Sequence, residues 1–525
     1  MNDDLDDAQY GRRAIRGRRS RVQSAPVTEG TVDRPADPAT GAGPPRRPLL
    51  RRLLGESAVY GLGGVANQAL AIILVPIYAR QLGLENYGIV AILTTTISIS
   101  TLVATLAMPH AFFRSYLSES DDDRRRAEVL RTTLGLRLIV SLAALAILLA
   151  LAFPLAMLLL GGADAWLVMA LIGPIVFFDT LNLVPLSFLR AERRPRPYAA
   201  ISFTRAVLGS VLIIFFVVVL DLGVAGVILG SACSALVTAS AGVAMLAREG
   251  RLGIGLDRRL ARHMLAFSLP LVPASVASWT LNLSDRYLIA AFDGPAAVGT
   301  YSAGYTVGLA INALAISPFT LAWGAAYWEI AKQDDARAVI ARVLTAFTAL
   351  ASFAAVGLAA LSTDVFRILL TPEFEPGRFV TPFSAFAYVM YGIFTIASTG
   401  LNLESQTRRL PLIMGATAAA NVLLNLVLIP RLGYMGAAAS TILSYGMLAL
   451  LAGRVSQRYY PVPWEVGRVA ALLGLGLALS ALALLGPDHV AWRVACIVAY
   501  PIAAIGLRIA PSRLLASLTG LLRRG

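Results

Sequence analysis

Stretches of about 20 apolar residues recur along this chain with short arginine-rich segments between them, and that is the length an α-helix needs to cross a hydrocarbon core of roughly 30 Å. Lipid offers backbone amides no hydrogen-bond partner, so a chain built this way is confined to helices bundled across a bilayer. On that ruler the sequence predicts spans near 57–79, 86–107, 129–153, 165–187, 199–220 and 223–246. After a basic loop come spans near 265–291, 297–322, 337–360, 378–400, 410–430 and 433–453, then two more near 466–486 and 490–509. Only 14% of the residues are charged, against about 25% in soluble domains. The expected fold class is an all-α polytopic membrane protein with about fourteen transmembrane helices.

Loop charge supplies an orientation. The loops on the side of the N-terminal tail carry 37 Arg and Lys, including Arg124–Arg126, Arg190–Arg196 and Arg258–Arg262. The other side carries five, Arg80, Arg367, Arg378, Arg431 and Arg493, while Arg137, Arg205 and Arg286 fall inside spans. The positive-inside rule then places both termini in the cytoplasm of a bacterial inner membrane. Residues 1–48 are polar and rich in Arg, Pro, Gly and Ala, a composition that predicts disorder. The paired Arg12 and Arg13 are no export signal, because no apolar segment follows within reach. Pro48–Leu54 reads as a juxtamembrane anchor.

The same numbers exclude several functions. The net charge of +14 sits beside apolar spans, where headgroups and topology account for it, and no stacking motif accompanies it, so nucleic acid is not an expected partner. Cys233 and Cys496 both lie in apolar stretches, and His110, His263 and His489 share no ligand spacing, so neither a disulfide framework, nor a metal, nor another cofactor is expected. The loops on the sparsely charged side are short, the longest running from about Ser362 to Arg378. A membrane-bound polymerase or glycosyltransferase needs a long external loop for its catalytic groups, so the chain is expected not to be an enzyme, and no catalytic residue is assigned.

The two halves repeat. Gly83 and Gly88 recur 211 residues later as Gly294 and Gly299, and Asp122–Asp123 recur 212 residues later as Asp334–Asp335. Gly223 and Gly226 recur as Gly433 and Gly436, and Glu192 as Glu404. The offset spans six helices, an even number, so the halves share one orientation and should be related by an axis along the membrane normal, with a site between them. The expected organisation is a tail over 1–48, a first lobe over 49–250 and a second over 251–457. Two extra spans with a short basic tail fill 458–525.

Three segments, VPIYARQLGLENYGIVAIL (75–93), SDRYLIAAFDGPAAVGTYSAGY (284–305) and NVLLNLVLIPRLGYMGAAASTILSY (421–445), resemble the polysaccharide (Wzx-like) flippases of the multidrug/oligosaccharidyl-lipid/polysaccharide exporter superfamily. The resemblance covers roughly 55–460. It implies a two-lobed exporter that moves an undecaprenyl-pyrophosphate-linked oligosaccharide to the outer leaflet for capsule, exopolysaccharide or O-antigen synthesis. A proton or sodium ion could drive it, and a polysaccharide polymerase or ligase could act beside it. A peptidoglycan-precursor flippase or a cation-coupled drug exporter of the same superfamily is the alternative, and a membrane-bound polymerase or glycosyltransferase is the competitor from another class.

A sugar–pyrophosphate head needs a polar, cation-bearing path through hydrocarbon. Arg137 and Arg205 are expected about 9–12 Å from the cytoplasmic edge at 1.5 Å per residue, with Asp179 at similar depth. They form either an anion pocket tuned by Asp179 or a structural ion pair, or they snorkel to the headgroups. Arg286 is a candidate exit-side contact and Asp285 a candidate coupling-ion site. Neighbours on a helix diverge, so these two are not expected to pair with each other; a gating role is the alternative for both. Asn67 and Gln68 either line the cavity or join helices. Asn421 and Asn425, on one face, are expected to join helices. Glu192 and Glu404 are expected to be solvated or to cap helices, and Trp323, Tyr327 and Trp328 to anchor the interface.

Overall fold

A computed structural model describes residues 47–118, 122–162 and 165–507, with side chains from Leu74 onward. Residues 1–53 form one unit and Leu54–Gly525 another; everything below concerns the second, apart from the start of the first helix. The tail expected over 1–48 lies outside the described residues except for Arg47 and Pro48, which open that helix, and the basic C-terminal tail lies outside them as well. No strand occurs among the described residues.

The first set of helices comprises α1 (Arg47–Thr105), α2 (Met108–Ser118), α3 (Asp123–Leu160), α4 (Trp166–Ala170), α5 (Ile172–Ala191), α6 (Pro195–Ile214) and α7 (Gly223–Arg248). A connecting α8 (Arg258–Ser268) leads to α9 (Val272–Leu283), α10 (Asp285–Ile311), α11 (Ser317–Ile330), α12 (Ala336–Leu369) and α13 (Val380–Ala397). Then follow α14 (Thr399–Leu403), α15 (Arg409–Leu432), α16 (Tyr434–Gln457), α17 (Val466–Leu485) and α18 (Val490–Gly506). Local signals fix several ends. Asp122 caps α3 by accepting from Arg124 N at 2.9 Å and Arg125 N at 3.2 Å, and Gly161, with φ 69°, stops it in the left-handed conformation.

Eleven helical runs are long and apolar enough to cross a bilayer. One of them, Arg258–Ile330, has 73 residues, more than two crossings require, and its backbone leaves helical geometry at Gly294. The 59 residues of α1 turn at Gly83 in the same way, and α18, with 17 residues, is a shorter apolar helix. Divided at these breaks, the helices coincide with the fourteen expected spans.

The repeat is present in the backbone. Gly83 (φ 73°, ψ 177°) and Gly294 (φ 82°, ψ 174°) adopt one and the same conformation, in a region open essentially to glycine alone. Gly223 and Gly433, also repeat partners, both have positive φ, 54° and 61°. Packing follows the halves: α3, α5, α6 and α7 pack on one another, as do α9, α10, α12, α13, α15 and α16, while α17 and α18 lie on α12.

Charged contacts separate the two ends of the bundle. Arg367 meets Glu375 at 3.1 Å and Asp488 at 2.7 Å, Arg493 meets Asp364 at 2.6 Å and Asp488 at 2.7 Å, and Arg378 pairs with Glu375. Three of the five sparse-side arginines thus share one cluster. Arg126 faces Glu192 at 3.8 Å and Arg194 binds Glu249 at 2.7 Å in the other set of connections. The loop expected from about Ser362 to Arg378, the longest of the short ones, is largely helical instead. Helix α12 continues to Leu369 and a 3₁₀ segment fills Pro372–Phe379, with Ser362, Phe366, Phe374 and Gly377 buried. Arg367 reads as a loop signal in the sequence, but its charge is matched here by Glu375 and Asp488.

Candidate functional site

A cavity of about 400 Å³ lies between the two helix sets, walled by α1 residues that include Tyr78, Tyr87, Thr94 and Thr95 and by Leu283, Arg286, Ser302 and Thr306. Among the described residues Arg286 is the one charged side chain on this wall. Ser302 Oγ, also on it, is buried without a hydrogen-bond partner. The threonine hydroxyls donate back along their own helices, Thr94 to Val90 O at 2.9 Å and Thr95 to Ala91 O at 2.7 Å, which leaves oxygen lone pairs on the wall.

At the Gly83/Gly294 bends the two sets meet backbone to backbone. A Cβ built on Gly88 would overlap Pro295 O and sit 2.9 Å from Gly299 N; one built on Gly299 would overlap Leu84 O and sit 3.3 Å from Gly88 N. Only glycine permits this approach. Val75, Ala79 and Tyr87 cluster there with Ala303, Phe366, Leu370 and Phe374, and Tyr87 stands edge-on to Phe374 with ring centres 5.5 Å apart. The cavity is therefore shut at this end. Deeper, Thr96 and Tyr287 hydroxyls meet at 2.9 Å across the sets.

Arg286 is held from behind. Its Nη1 donates to Asp285 Oδ1 at 3.0 Å and to Asn282 O at 3.1 Å, and its guanidinium lies 4.8 Å from the ring centre of Tyr305 and 5.6 Å from that of Tyr301. Tyr301 donates to the other oxygen of Asp285. Asn282 Oδ1 accepts from Tyr445 at 2.8 Å and Tyr388 at 3.2 Å, and Tyr388 meets Tyr305 at 3.1 Å. Both oxygens of Asp285 are thus occupied, whereas Nε and Nη2 of Arg286 make no hydrogen bond among the described residues. A fixed cation with spare N–H donors beside a cavity is suited to an anionic oxygen.

The expectation that Asp285 and Arg286 do not pair is corrected. The long arginine bends back toward the preceding turn, so that one nitrogen, Nη1, reaches both Asn282 O and Asp285 Oδ1. Trp323 is also corrected: it is buried and donates Nε1 to Thr399 Oγ1 at 3.0 Å instead of anchoring an interface. Trp328 is exposed. Glu192 is the C-cap residue of α5, and its carboxylate accepts from Tyr116 Oη at 2.6 Å beside Arg126. Glu404 is the C-cap residue of α14.

Arg205 and Asp179 come together. Arg205 Nε donates to Oδ1 at 3.1 Å and Nη2 to Oδ2 at 3.2 Å, and Nη1 reaches Ser234 Oγ at 2.8 Å. Arg137 does not join them. It is 2% exposed and donates Nη1 to Ala104 O at 2.7 Å and Nη2 to Thr105 O at 3.0 Å. There it satisfies the last carbonyls of α1, where Leu106 and Ala107 take positive φ of 50° and 51° and the helix stops. Asn421 Nδ2 donates to Ser444 Oγ at 3.1 Å, joining α15 to α16, and Asn421 Oδ1 accepts from Asn425 Nδ2 at 3.2 Å. Asn67 and Gln68 lie outside the residues whose side chains are described.

The tyrosines around Asn282 escaped the sequence reading. Tyr301 and Tyr305 stand one helical turn apart just after Gly299, and that spacing beside a buried Asp-Arg pair was the available signal.

Residues 53–323 match the family described as polysaccharide biosynthesis protein. Among solved structures, a lipid II flippase MurJ in an inward closed conformation aligns with TM-score 0.63 at 14% identity, over 85% of this chain and 99% of that one. An inward-facing multidrug resistance MATE family transporter of the MOP superfamily aligns with TM-score 0.59 at 16% identity, over 77% and 95%. A MOP superfamily transporter from Pyrococcus furiosus aligns with TM-score 0.50 at 15% identity, over 79% and 96%. No curated protein sequence matches significantly. At these identities the structural likeness is one of fold, and it is the fold of flippases and transporters. With the family match covering more than half of its length, this chain belongs to the polysaccharide biosynthesis protein family and is a multi-pass membrane protein with the MurJ- and MATE-like transporter fold.

Proposed function

We propose that this protein carries an undecaprenyl-pyrophosphate-linked oligosaccharide across the bacterial inner membrane for cell-surface polysaccharide synthesis. The observation that supports this most is Arg286, the lone charge among the described residues on the wall of a cavity between two repeat-related helix sets. A pyrophosphate there meets a guanidinium whose Nε and Nη2 are uncommitted, while the isoprenoid tail stays in lipid and avoids the cost of entering a polar site. Ser302 Oγ and the threonine oxygens offer partners for sugar hydroxyls.

In this reading the arginine-rich loops face the cytoplasm, with both termini there. The segments 49–250 and 251–457 act as lobes that rock about the glycine contact, so that the cavity opens to one leaflet at a time. Asp285, bound to Arg286 and Tyr301, is where a proton or sodium ion would register. An ion that takes Asp285 releases Arg286, and this would couple the ion to the anion site. Arg205 with Asp179, and Arg137, then hold the first lobe together.

A peptidoglycan precursor has the same pyrophosphate, so Arg286 suits it equally. A cationic drug does not suit a cavity whose one charge is positive. Binding separates the three. The purified protein is titrated, with native mass spectrometry as readout, against an undecaprenyl-pyrophosphate oligosaccharide, a peptidoglycan lipid precursor and a lipophilic cation. Selective retention of the first supports the proposal. Preference for the second transfers it to wall synthesis, and preference for the cation overturns it.

A further inference from the structure

The connection between the helix sets runs through Arg251–Asp257 into α8 and is fastened to the first set. Gly255 N donates to Arg131 O at 3.4 Å and Asp257 N to Thr132 Oγ1 at 3.4 Å. A Cβ on Gly135 would overlap Gly255 O. Asp257 caps α8 through Arg259 N at 2.7 Å and Leu260 N at 2.9 Å, and these amides, that of Leu260 first, hold its carboxyl below the ordinary range. Ala261 and Met264 are buried with Phe112, Tyr116 and Leu130. One face of α8 is thereby committed to packing.

The adjoining face borders a groove of about 470 Å³, bounded by Leu136 of α3, Leu256, Leu265 and Leu269, with Arg258 and Arg262 at one end. The two arginines lie at i and i+4, side by side on one turn. Leu269 lies some 16 Å along the axis at 1.5 Å per residue, where the chain enters the span that begins with α9. Both arginines are exposed, and neither side chain makes an ion pair or hydrogen bond among the described residues. The nearest carboxylate in sequence, Asp257, is occupied as the cap. Leu252, Ile254 and Leu256, alternate residues of the connection, turn outward at 41%, 71% and 45% exposure. Water disfavours such a stripe, whereas the boundary between acyl chains and headgroups suits it.

We propose that this groove binds one anionic phospholipid of the adjacent leaflet. Arg258 and Arg262 hold its phosphodiester, and one acyl chain lies along Leu265 and Leu269 against Leu136. The charge is complementary, and the order of the groove, cationic at its outer end and apolar toward the span, matches the order of head and tail in a lipid. Because α8 continues into α9, the bound lipid fastens the connection between the halves to α3. This site is separate from the cavity and does not depend on which substrate is carried.

The test uses the full-length protein, delipidated in detergent and followed by native mass spectrometry and thermal unfolding. Phosphatidylglycerol, phosphatidylcholine and inorganic phosphate are added in turn. The expected result is a retained phosphatidylglycerol adduct and a raised unfolding temperature, with little response to phosphatidylcholine or phosphate. The double variant Arg258→Gln/Arg262→Gln should weaken retention by at least about tenfold. Ala266→Trp, which fills the groove without touching the charges, should do the same. Arg408→Gln/Arg454→Gln, an equal loss of charge elsewhere, should leave retention unchanged. Equal retention of both lipids, an effect of phosphate alone, or equal loss in the Arg408/Arg454 control would overturn the site. If the arginine variant does not fold, the Ala266→Trp comparison decides alone.

Discussion

Gly88 and Gly299, 211 residues apart in the chain and equivalent in the internal repeat, lie against each other's backbones and shut one end of the cavity. The contact is symmetric in kind: each glycine faces the turn that precedes its partner, Pro295 on one side and Leu84 on the other. A seal of this type has no side chain to reorganise, so it can separate and re-form as a unit.

Gly88→Ala should wedge it open. The added methyl collides with backbone, which cannot rotate away, and overpacking of this kind costs about 1–3 kcal/mol. In a background lacking Cys233 and Cys496, Ser302→Cys on the cavity wall should react with a membrane-impermeant thiol reagent from the Gly294 side faster when Gly88→Ala is added. Unchanged labelling would mean that the seal lies elsewhere.

For the pair Arg205–Asp179, removal of either partner should reduce folded protein. A carboxylate or guanidinium left uncompensated in a buried site costs about 3–5 kcal/mol, and the partial exposure of this pair, 27% and 25% of the side chains, places it at or below the lower end. The exchange Arg205→Asp/Asp179→Arg should recover most of the yield in size-exclusion profiles. Normal yield with lost export in Arg205→Gln would instead assign the arginine to the substrate.

Arg137 has no carboxylate to exchange with. Arg137→Gln leaves at least one of Ala104 O and Thr105 O without its donor, at about 1–3 kcal/mol for each orphaned group. Lys, with a single compact head, should rescue only in part. Thermal unfolding in detergent should rank wild type above Lys and Lys above Gln, and a Gln variant as stable as wild type would refute the capping role.

Much of this was legible in the sequence, because a membrane removes most of the alternatives. Span positions follow from length and apolarity, and the repeat offset located Gly83, Gly88, Gly294 and Gly299 before their conformations were seen. What was not legible depends on contacts between distant segments. Tyr388 and Tyr445 reach Asn282 from helices more than 100 residues away. Asp285 and Arg286 pair because the arginine bends back along its own helix toward Asn282, and nothing in the local sequence marks that path. Arg367 resembles a loop charge until Asp488, beyond α17, is placed beside it.

Asp488 provides a pH test. Arg367, and next Arg493, hold its carboxyl from the ordinary 3.8 down to about 2. A folded pKa below the unfolded value stabilises above the unfolded value and is lost as pH falls through the folded one. The docking of α17 and α18 on α12 should therefore hold above about pH 4 and loosen between there and about pH 2. Fluorescence of Trp492, whose Nε1 donates to Leu482 O at 2.9 Å, should report the change. Asp488→Asn should show weaker docking with this acid transition removed; an unaltered transition in that variant would assign it to another carboxylate.

The central claim is that Arg286 meets the anionic head of a lipid-linked glycan, and translocation tests it most directly. The full-length protein is reconstituted in liposomes with a fluorescent undecaprenyl-pyrophosphate oligosaccharide, and its transbilayer movement is followed by quenching from outside. Wild type should move it, and Arg286→Gln should slow movement at least about tenfold, the loss of one charge-assisted contact, with rates compared at matched amounts of folded, incorporated protein because the buried Asp285 loses its partner. Arg286→Lys should be intermediate. Movement by Arg286→Gln at the wild-type rate would contradict the account.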